Sequence, residues 1–114
     1  MNDCLFCKII EKRIPADIIA ENENVLAFRD IDSKAPTHIL IIPKNHIEST
    51  LQLTKENINI LGDMGLLANN IAKTEGIDES GYRWVINTGK DGGQSVYHIH
   101  LHLLGGRRLG WPPG

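Results

Sequence analysis

Histidine and aliphatic residues alternate along the segment His98-Ile99-His100-Leu101-His102-Leu103-Leu104. Successive side chains of a β-strand point to opposite faces of a sheet, so the alternation predicts a strand, which we place at Val96 to Leu104. The three imidazoles then share one face, about 6–7 Å apart along the strand, while the interleaved Ile99, Leu101 and Leu103 enter the core. Imidazole titrates near neutrality and serves as nucleophile, acid, base or metal ligand. Three of the chain's five histidines in one row therefore favour a chemical role over a solvated strand face.

The loop before this strand is rich in glycine and polar residues. Gly92-Gly93-Gln94-Ser95 can aim successive backbone N–H groups into a concavity that holds an oxyanion or a phosphate. A Gly-Gly loop alone is usually only a turn, but this one ends three residues before His98. Ser95 adds a hydroxyl donor, and Asn87 lies on the preceding predicted strand. The loop and the histidine strand together predict a site for a phosphorylated ligand.

The remaining chain predicts two helices and four more strands. Asp3 can cap a short helix over about Cys4 to Lys12, and Thr54 starts a long helix that runs to about Thr74. Strands are expected at Ile18 to Glu21, Val25 to Asp30, His38 to Ile42 and Tyr82 to Thr88. Since strands outnumber helices and the turns are short, we expect antiparallel pairing and the α+β class.

The long helix is amphipathic. Its apolar stripe consists of Ile60, Leu61, Met64, Leu67, Ala68, Ile71 and Ala72. Leu66 lies off the stripe and is expected to be exposed, with a subunit contact as the alternative. Gly62 and Gly65 are explained either by close packing against a neighbour or by simple tolerance, since each costs about 1 kcal/mol relative to alanine in a helix interior.

Length and charge exclude several classes of protein. The chain has 114 residues, a formal net charge of −2 and 41% hydrophobic residues, which is ordinary for one globular domain, placed here at residues 1–114. A near-neutral balance argues against nucleic-acid and anionic-membrane partners, which need clustered positive charge. No apolar run approaches the roughly 18 residues that span a bilayer, and the first residues show no secretory signal. A cytoplasmic location is therefore expected.

The histidine strand matches the His-φ-His-φ-His-φ-φ signature of the histidine triad (HIT) superfamily, where φ is apolar, and the chain resembles this family along essentially its whole length. The other segments that resemble it are Lys8-Ile9-Ile10 with Ile14-Pro15-Ala16, Ala27-Phe28-Arg29-Asp30-Ile31, Ala35-Pro36-Thr37-His38-Ile39-Leu40-Ile41-Ile42-Pro43-Lys44, Gly92-Gly93-Gln94-Ser95-Val96-Tyr97 and Trp111-Pro112-Pro113-Gly114. The last two segments are most similar to the Hint branch, the purine nucleoside phosphoramidases.

This resemblance implies a fold and an activity. The fold is a five-stranded antiparallel sheet with one long and one short helix, paired into a homodimer with a continuous ten-stranded sheet. The Trp111 segment resembles the part that reaches the partner subunit's site. The implied activity is hydrolysis of purine nucleoside phosphoramidates and related nucleoside monophosphate conjugates. His100 would be the nucleophile that bonds transiently to the α-phosphorus, oriented and polarised by His38 and the flanking histidines of the triad.

Chemistry independently supports these roles. A neutral imidazole nitrogen attacks phosphorus well and yields a bond that is readily hydrolysed, so one hard step becomes two easier ones. His102, or Ser95 in its network, can help protonate the leaving amine. Backbone N–H groups of Gly93, Gln94 and Ser95 can hold the non-bridging oxygens, and the step needs no catalytic metal.

Nucleoside recognition involves a second set of residues. Asp30 can accept two hydrogen bonds from ribose hydroxyls, and the resemblance places it in that role beside Ile31 and Asn87. An apolar slot for a purine is offered by Leu5, Phe6, Ile9 and Phe28. The alternative for each slot residue is an ordinary place in the core.

The pair Cys4-x-x-Cys7 departs from many members of the Hint branch, and this puts a strict phosphoramidase preference in doubt. In a reducing compartment such a pair indicates metal ligands or a redox pair more than a structural disulfide. Resemblance to other bacterial histidine triad proteins implies a structural zinc bound by Cys4, Cys7, His46 and His98. Free thiols are the alternative.

Two further functions remain open from sequence. One is a metallohydrolase with a catalytic zinc on the three histidines, since His-x-His on a strand is also a common ligand arrangement. The other is a purine-nucleotide binding or scaffold protein whose hydrolysis is vestigial. The glycine-rich loop and Asp30 favour the nucleotidyl hydrolase over the former, and the intact His100 and Ser95 favour it over the latter.

Overall fold

A computed structural model describes residues 3–114, so Met1 and Asn2, on which the prediction of no secretory signal partly rests, lie outside the described residues. The helices are α1 (Leu5–Ile10), α2 (Asn59–Thr74) and the single turn α3 (Gly89–Gly92), with a 3-10 turn at Thr50–Gln52. The strands are β1 (Ile18–Glu21), β2 (Val25–Arg29), β3 (Thr37–Pro43), β4 (Tyr82–Val85) and β5 (Leu101–Gly105). None of the helices in this part of the chain is long and apolar enough to cross a membrane.

The five strands form one antiparallel sheet in the order β1-β2-β3-β5-β4, which confirms the predicted α+β class and strand number. Side chains of the central strands alternate between the faces. One face packs on α2 through Val25, Ala27, Ile39, Ile41, Leu101 and Leu103. The other packs on α1 through Leu26, Phe28, Leu40 and Ile42. Because both faces are covered, β2 and β3 are almost continuously apolar.

The last strand is shorter than predicted, because it starts at Leu101 and leaves His98 and His100 outside the sheet. Its pairing with β3 ends at Ile41 opposite Leu101, so the next N–H group expected from β3 would come from Pro43. Proline has no N–H group and cannot continue the ladder. The N–H group of Ile99 instead donates to the carbonyl of Ile47 (2.6 Å), and the chain leaves the sheet while keeping its in-and-out alternation.

Other predicted boundaries also differ. The cap of α1 is Cys4, not Asp3, because the Cys4 sulfur accepts the N–H group of Cys7. Helix α2 begins five residues after Thr54, because the Asn57 side chain accepts the Thr54 N–H group and closes a separate turn. Strand β4 ends at Val85, which pairs with His102 one residue from the start of β5, and the glycine-rich loop starts with the helical turn α3.

The two glycines of α2 differ in their surroundings. A Cβ atom on Gly65 would lie 2.6 Å from the ring of Trp84, so close packing explains this glycine. A Cβ on Gly62 would meet nothing within 4 Å among the described residues, so Gly62 fits tolerance. The predicted stripe of α2 is buried or packed against the core, and Leu66 is 67% exposed.

Candidate active site

A cavity of about 250 Å³ opens on the face of the sheet that α1 covers. Its wall is apolar at one end and polar at the other. The apolar part includes the predicted slot residues Leu5, Phe6, Ile9 and Phe28, together with Ile14, Pro15, Ala16, Leu40 and Val96. The polar part includes Asp30, Ser95, His100 and His102. Leu40, Val96 and the segment Ile14-Pro15-Ala16 were not among the predicted slot residues, although the segment is recognisable in the sequence as apolar and proline-containing.

His100 is held in one tautomer by the backbone. Its ring is buried, and its Nδ1 lies 2.8 Å from the carbonyl oxygen of His98. A carbonyl oxygen only accepts hydrogen bonds, so Nδ1 carries the proton and donates it. In the neutral ring, the lone pair is then on Nε2. Burial lowers the pKa of His100, which keeps the ring in this uncharged, nucleophilic form at neutral pH.

His102 is held in one tautomer by a chain of two hydrogen bonds. The Lys34 N–H group donates to Nδ1 of His38 (3.0 Å), so the proton of a neutral His38 is on Nε2. That Nε2 lies 2.9 Å from Nδ1 of His102 and donates to it. The proton of a neutral His102 is therefore on its own Nε2, available as a donor. Sequence reasoning could not find the Lys34 contribution, because it comes from a backbone amide.

Its surroundings also keep His102 uncharged. Burial first, and then the neighbouring rings of His100 and His38, lower the pKa of His102 to about 4. Burial also lowers the pKa of His38, against the opposing effect of the Asp30 carboxylate. At neutral pH both rings are therefore neutral hydrogen-bonding groups.

Asp30 lies at the junction of this cavity with a second, more polar cavity of about 490 Å³. One of its oxygens accepts the N–H group of Asp32 (2.8 Å), and the other lies 3.4 Å from Nε2 of His38. Ile31 lines the first cavity and is fully exposed, and Asn87 lines the second. The structure thus places Asp30 and Ile31 together and sets Asn87 on the far side of Ser95 and His102, which line both cavities.

Most hydrogen-bond donors of the glycine-rich loop are already paired with carbonyl groups of the protein. The N–H groups of Gly93 and Gln94 donate to the carbonyls of Lys90 and Gly89, each at 3.0 Å. The buried Gln94 side chain accepts from the Gly89 N–H group and donates to the carbonyls of Glu48 and Val96. Ser95 is exposed and makes no hydrogen bond within residues 3–114. An anion in the cavity would therefore meet Ser95, whereas Gly93 and Gln94 shape the loop.

Cys4, Cys7, His46 and His98 form a second cluster beside the cavity. Nδ1 of His98 lies 3.3 Å from the Cys4 sulfur and 3.6 Å from the Cys7 sulfur. Nδ1 of His46 lies 3.4 Å from the Cys7 sulfur and 3.2 Å from Nδ1 of His98. In addition, Nε2 of His98 donates to the carbonyl of Pro43 (2.8 Å), which leaves the Nδ1 lone pair turned toward the thiols.

These distances fit a tetrahedral zinc ion. Zinc–sulfur and zinc–nitrogen bonds of about 2.3 and 2.05 Å give ligand separations of roughly 3.5 Å between sulfur and nitrogen and roughly 3.3 Å between two nitrogens. The hydrogen bond from His98 to Pro43 is the kind of outer contact that orients a histidine ligand. Four protein ligands close the coordination sphere, as in structural zinc sites.

The three alternating histidines, His98, His100 and His102, do not converge on one centre. Nδ1 of His98 faces the thiols, that of His100 donates to a carbonyl, and that of His102 accepts from His38. Asp30, His38 and His102 do lie close together, with possible ligand atoms within 4.8 Å. A neutral His38 bound to a metal through Nε2 would carry its proton on Nδ1, where the Lys34 N–H group already donates. The geometry therefore favours a hydrogen-bond chain here and does not favour a catalytic zinc on three histidines.

The site thus consists of a buried, uncharged imidazole with a lone pair on Nε2, beside a hydrogen-bonded histidine pair on an antiparallel α+β sheet. The sequence profile of the HIT domain matches residues 11–109, and the chain belongs to this family. An uncharacterised HIT-like protein of Synechococcus elongatus is 55% identical over 98% of this chain and 97% of its own length. A 14 kDa zinc-binding protein of Zea mays is 54% identical over 96% of this chain and 87% of its own length. The crystal structure of a HIT family hydrolase from Legionella pneumophila superposes with a TM-score of 0.96 at 52% identity, covering 98% of this chain and all of that one.

Proposed function

We propose that this protein hydrolyses purine nucleoside phosphoramidates and related nucleoside monophosphate conjugates through a covalent nucleotidyl-His100 intermediate. The observation that carries the proposal is the tautomer of His100. Its Nδ1–H group donates to the His98 carbonyl, so a lone pair on Nε2 is available in a neutral ring that lines the cavity. The similarity to a HIT family hydrolase supports the reaction class.

In the first step Nε2 of His100 attacks the α-phosphorus, and the bond from phosphorus to the leaving nitrogen breaks. The electron pair of that bond stays with the amine, which takes a proton from solvent through the Ser95 hydroxyl. His102 donates its Nε2–H group to a non-bridging oxygen, where negative charge develops. Because His38 fixes this donor before the substrate binds, little reorganisation is needed during the reaction.

In the second step a water molecule attacks the phosphorus of the intermediate. The phosphorus–nitrogen bond to His100 breaks, the electron pair returns to Nε2, and the water proton passes to solvent. The products are a nucleoside monophosphate and the original enzyme. A histidine–phosphorus bond suits this step, because the ring is a good leaving group while its other nitrogen remains protonated.

The cavity supports recognition of a nucleoside. Apolar side chains of α1 and β2 surround space for a base, and Asp30 and His100 line the same cavity. A carboxylate accepts hydrogen bonds from two ribose hydroxyls, so Asp30 and Ile31 would hold the sugar. Asn87, His102 and Ser95 would meet the phosphate, with Gly93 and Gln94 supporting the loop.

We further propose that Cys4, Cys7, His46 and His98 bind one structural zinc ion per chain. The ligand separations described above support this, as does the similarity to a protein named for zinc binding. The ion would join the N-terminal helix to the segment before β5 and takes no part in the chemical steps. A homodimer with a ten-stranded sheet, a single domain over residues 1–114 and a cytoplasmic location complete the proposal.

The covalent intermediate has a direct test. The protein is mixed with an aminoalkyl phosphoramidate of AMP, quenched during turnover under conditions that preserve histidine–phosphorus bonds, digested and analysed by mass spectrometry. We expect an added nucleoside monophosphate on the peptide that contains His100. The variant His100→Ala should show no adduct, and turnover by this variant at the wild-type rate would refute the assignment.

A further inference from the structure

His98 connects the cluster of proposed zinc ligands to the proposed nucleophile, His100. The imidazole of His98 faces the sulfurs of Cys4 and Cys7, and its backbone carbonyl accepts the Nδ1–H group of His100. The ring is held at its other nitrogen by the Pro43 carbonyl, and its side chain is fully buried. A metal ion that binds the His98 ring therefore also fixes the position of the His98 carbonyl, which orients the proposed nucleophile.

Helix α1 connects the clusters a second time. It begins after Cys4 and contains Cys7, and its other side chains include Leu5, Phe6 and Ile9 of the cavity wall. The Phe6 ring packs edge-on against the rings of both His98 and His100, with centroids 5.8 and 5.1 Å away. A helix of six residues is too short to be stable by itself. A metal ion bound to Cys4 and Cys7 therefore also fixes helix α1, which forms one wall of the cavity lined by His100. We call this cavity the nucleotide cavity.

The zinc cluster is also open to solvent. A cavity of about 510 Å³ lies outside it, lined by Cys4, His46, Glu48 and Tyr97 among others. His46 is exposed, so an ion can reach the cluster without unfolding of the chain. Leu5, Ser95 and Val96 line both this cavity and the nucleotide cavity, so only a thin layer of side chains separates the two.

We propose that zinc binding and nucleotide binding are thermodynamically linked in this protein, through His98 and helix α1. This inference rests on the proposed function. Zinc in the cluster orders the wall formed by Leu5 and Phe6 and the carbonyl that holds His100, so nucleotide binds the loaded protein more tightly. Linkage is reciprocal, so bound nucleotide strengthens zinc binding by the same factor. The available zinc concentration would then set the apparent affinity of the protein for nucleotide.

The test measures binding of AMP, and separately GMP, by isothermal titration calorimetry. Protein loaded with one equivalent of Zn²⁺ and desalted is compared with protein stripped by a chelator. Coupling between sites is commonly 5- to 150-fold, and we expect nucleotide affinity to be about 10-fold weaker without zinc. Circular dichroism checks that the stripped protein stays folded.

A second measurement uses only loaded, folded protein and so stands even if stripping unfolds the chain. Co²⁺ replaces Zn²⁺, and its removal by a chelator is followed by the visible absorption of the thiolate-bound ion. We expect saturating AMP to slow removal about 10-fold and to protect the amides of Leu5–Ile10 from hydrogen exchange, without a change in the middle of α2.

Two variants give the matched comparison. Cys7→Ser should bind nucleotide as weakly as the stripped wild type and should not respond to added Zn²⁺. Asn45→Ala, an exposed change next to His46, should respond as the wild type does. Equal nucleotide affinity with and without zinc, or cobalt removal unchanged by AMP, would overturn the linkage. Failure of every loaded sample to bind AMP or GMP would instead overturn the proposed function.

Discussion

Replacing His38 by methionine tests the hydrogen-bond chain that presents His102. Methionine has a similar volume, so the substitution keeps the packing of this buried position but removes both ring nitrogens. The Lys34 N–H group then loses its acceptor, and Nδ1 of His102 loses the donor that lies 2.9 Å away. Without that donor nothing fixes the proton of His102 on Nε2, so the unproductive tautomer with its proton on Nδ1 becomes populated.

The expected loss of kcat in His38→Met follows from the loss of one hydrogen bond between neutral groups, that from His38 to His102. Such a bond contributes about 1–1.5 kcal/mol. If all of this energy is lost from the transition state, kcat falls about 5- to 13-fold. KM should change little, because His38 lies behind His102 and does not line the cavity that would receive the base and ribose. The loss should be much smaller than for His100→Ala, which removes the nucleophile itself.

The assay is steady-state hydrolysis of an aminoalkyl phosphoramidate of AMP, with kcat and KM determined separately. His38→Gln is the matched control, because its amide can return an N–H donor toward Nδ1 of His102. Nitrogen-15 chemical shifts of the His102 ring report the tautomer directly. We expect the Nε2–H form in the wild type and in His38→Gln and a mixture in His38→Met.

A wild-type kcat for His38→Met would refute the reasoning. Equal losses for the methionine and glutamine variants, with an unchanged His102 tautomer, would also refute it, because both results would assign His38 a purely structural role. Urea unfolding of each variant separates a loss of folded protein from a loss of rate.

The other predictions concern the nucleophile, the long helix and pH. His100→Ala should lower kcat by more than about 10³-fold while AMP binding, measured by calorimetry, persists; a rate within 10-fold of wild type would contradict the mechanism. Gly65→Ala should reduce the free energy of unfolding by about 1–2 kcal/mol, because overpacking against Trp84 outweighs the gain of about 1 kcal/mol in helix propensity; Gly62→Ala is the control and should not destabilise the chain in urea. Since burial and the neighbouring rings of His100 and His38 lower the pKa of His102 from 6.5 to about 4, the unfolded state binds more protons in that range, and stability should fall as pH is lowered from about 6.5 to 4. His102→Asn should weaken that dependence, and an unchanged slope in the urea midpoint would contradict it.

The alternating pattern at residues 98–104 correctly predicted that the aliphatic side chains of this segment enter the core. Ile99, Leu101 and Leu103 are all buried, and the class and strand number of the sheet are confirmed. The pattern could not show that the regular strand begins only at Leu101. That boundary depends on Pro43, which belongs to β3. Strand β3 comes to lie beside this segment only when the chain folds.

Composition and periodicity determined the α+β class and the row of three histidines, because hydrophobic burial acts on a pattern that is local in the chain. The resemblance to the histidine triad family added the roles expected of Asp30, His38 and the four zinc ligands. Folding decided which of those side chains meet. The contact between Cys4 and His98 spans 94 positions, and that between His38 and His102 spans 64. The reactive state of the histidines depends on backbone groups, the His98 carbonyl and the Lys34 N–H group. Every residue carries a carbonyl and nearly every one an N–H group, so no side-chain pattern reveals which of them will face an imidazole; only the packed chain does.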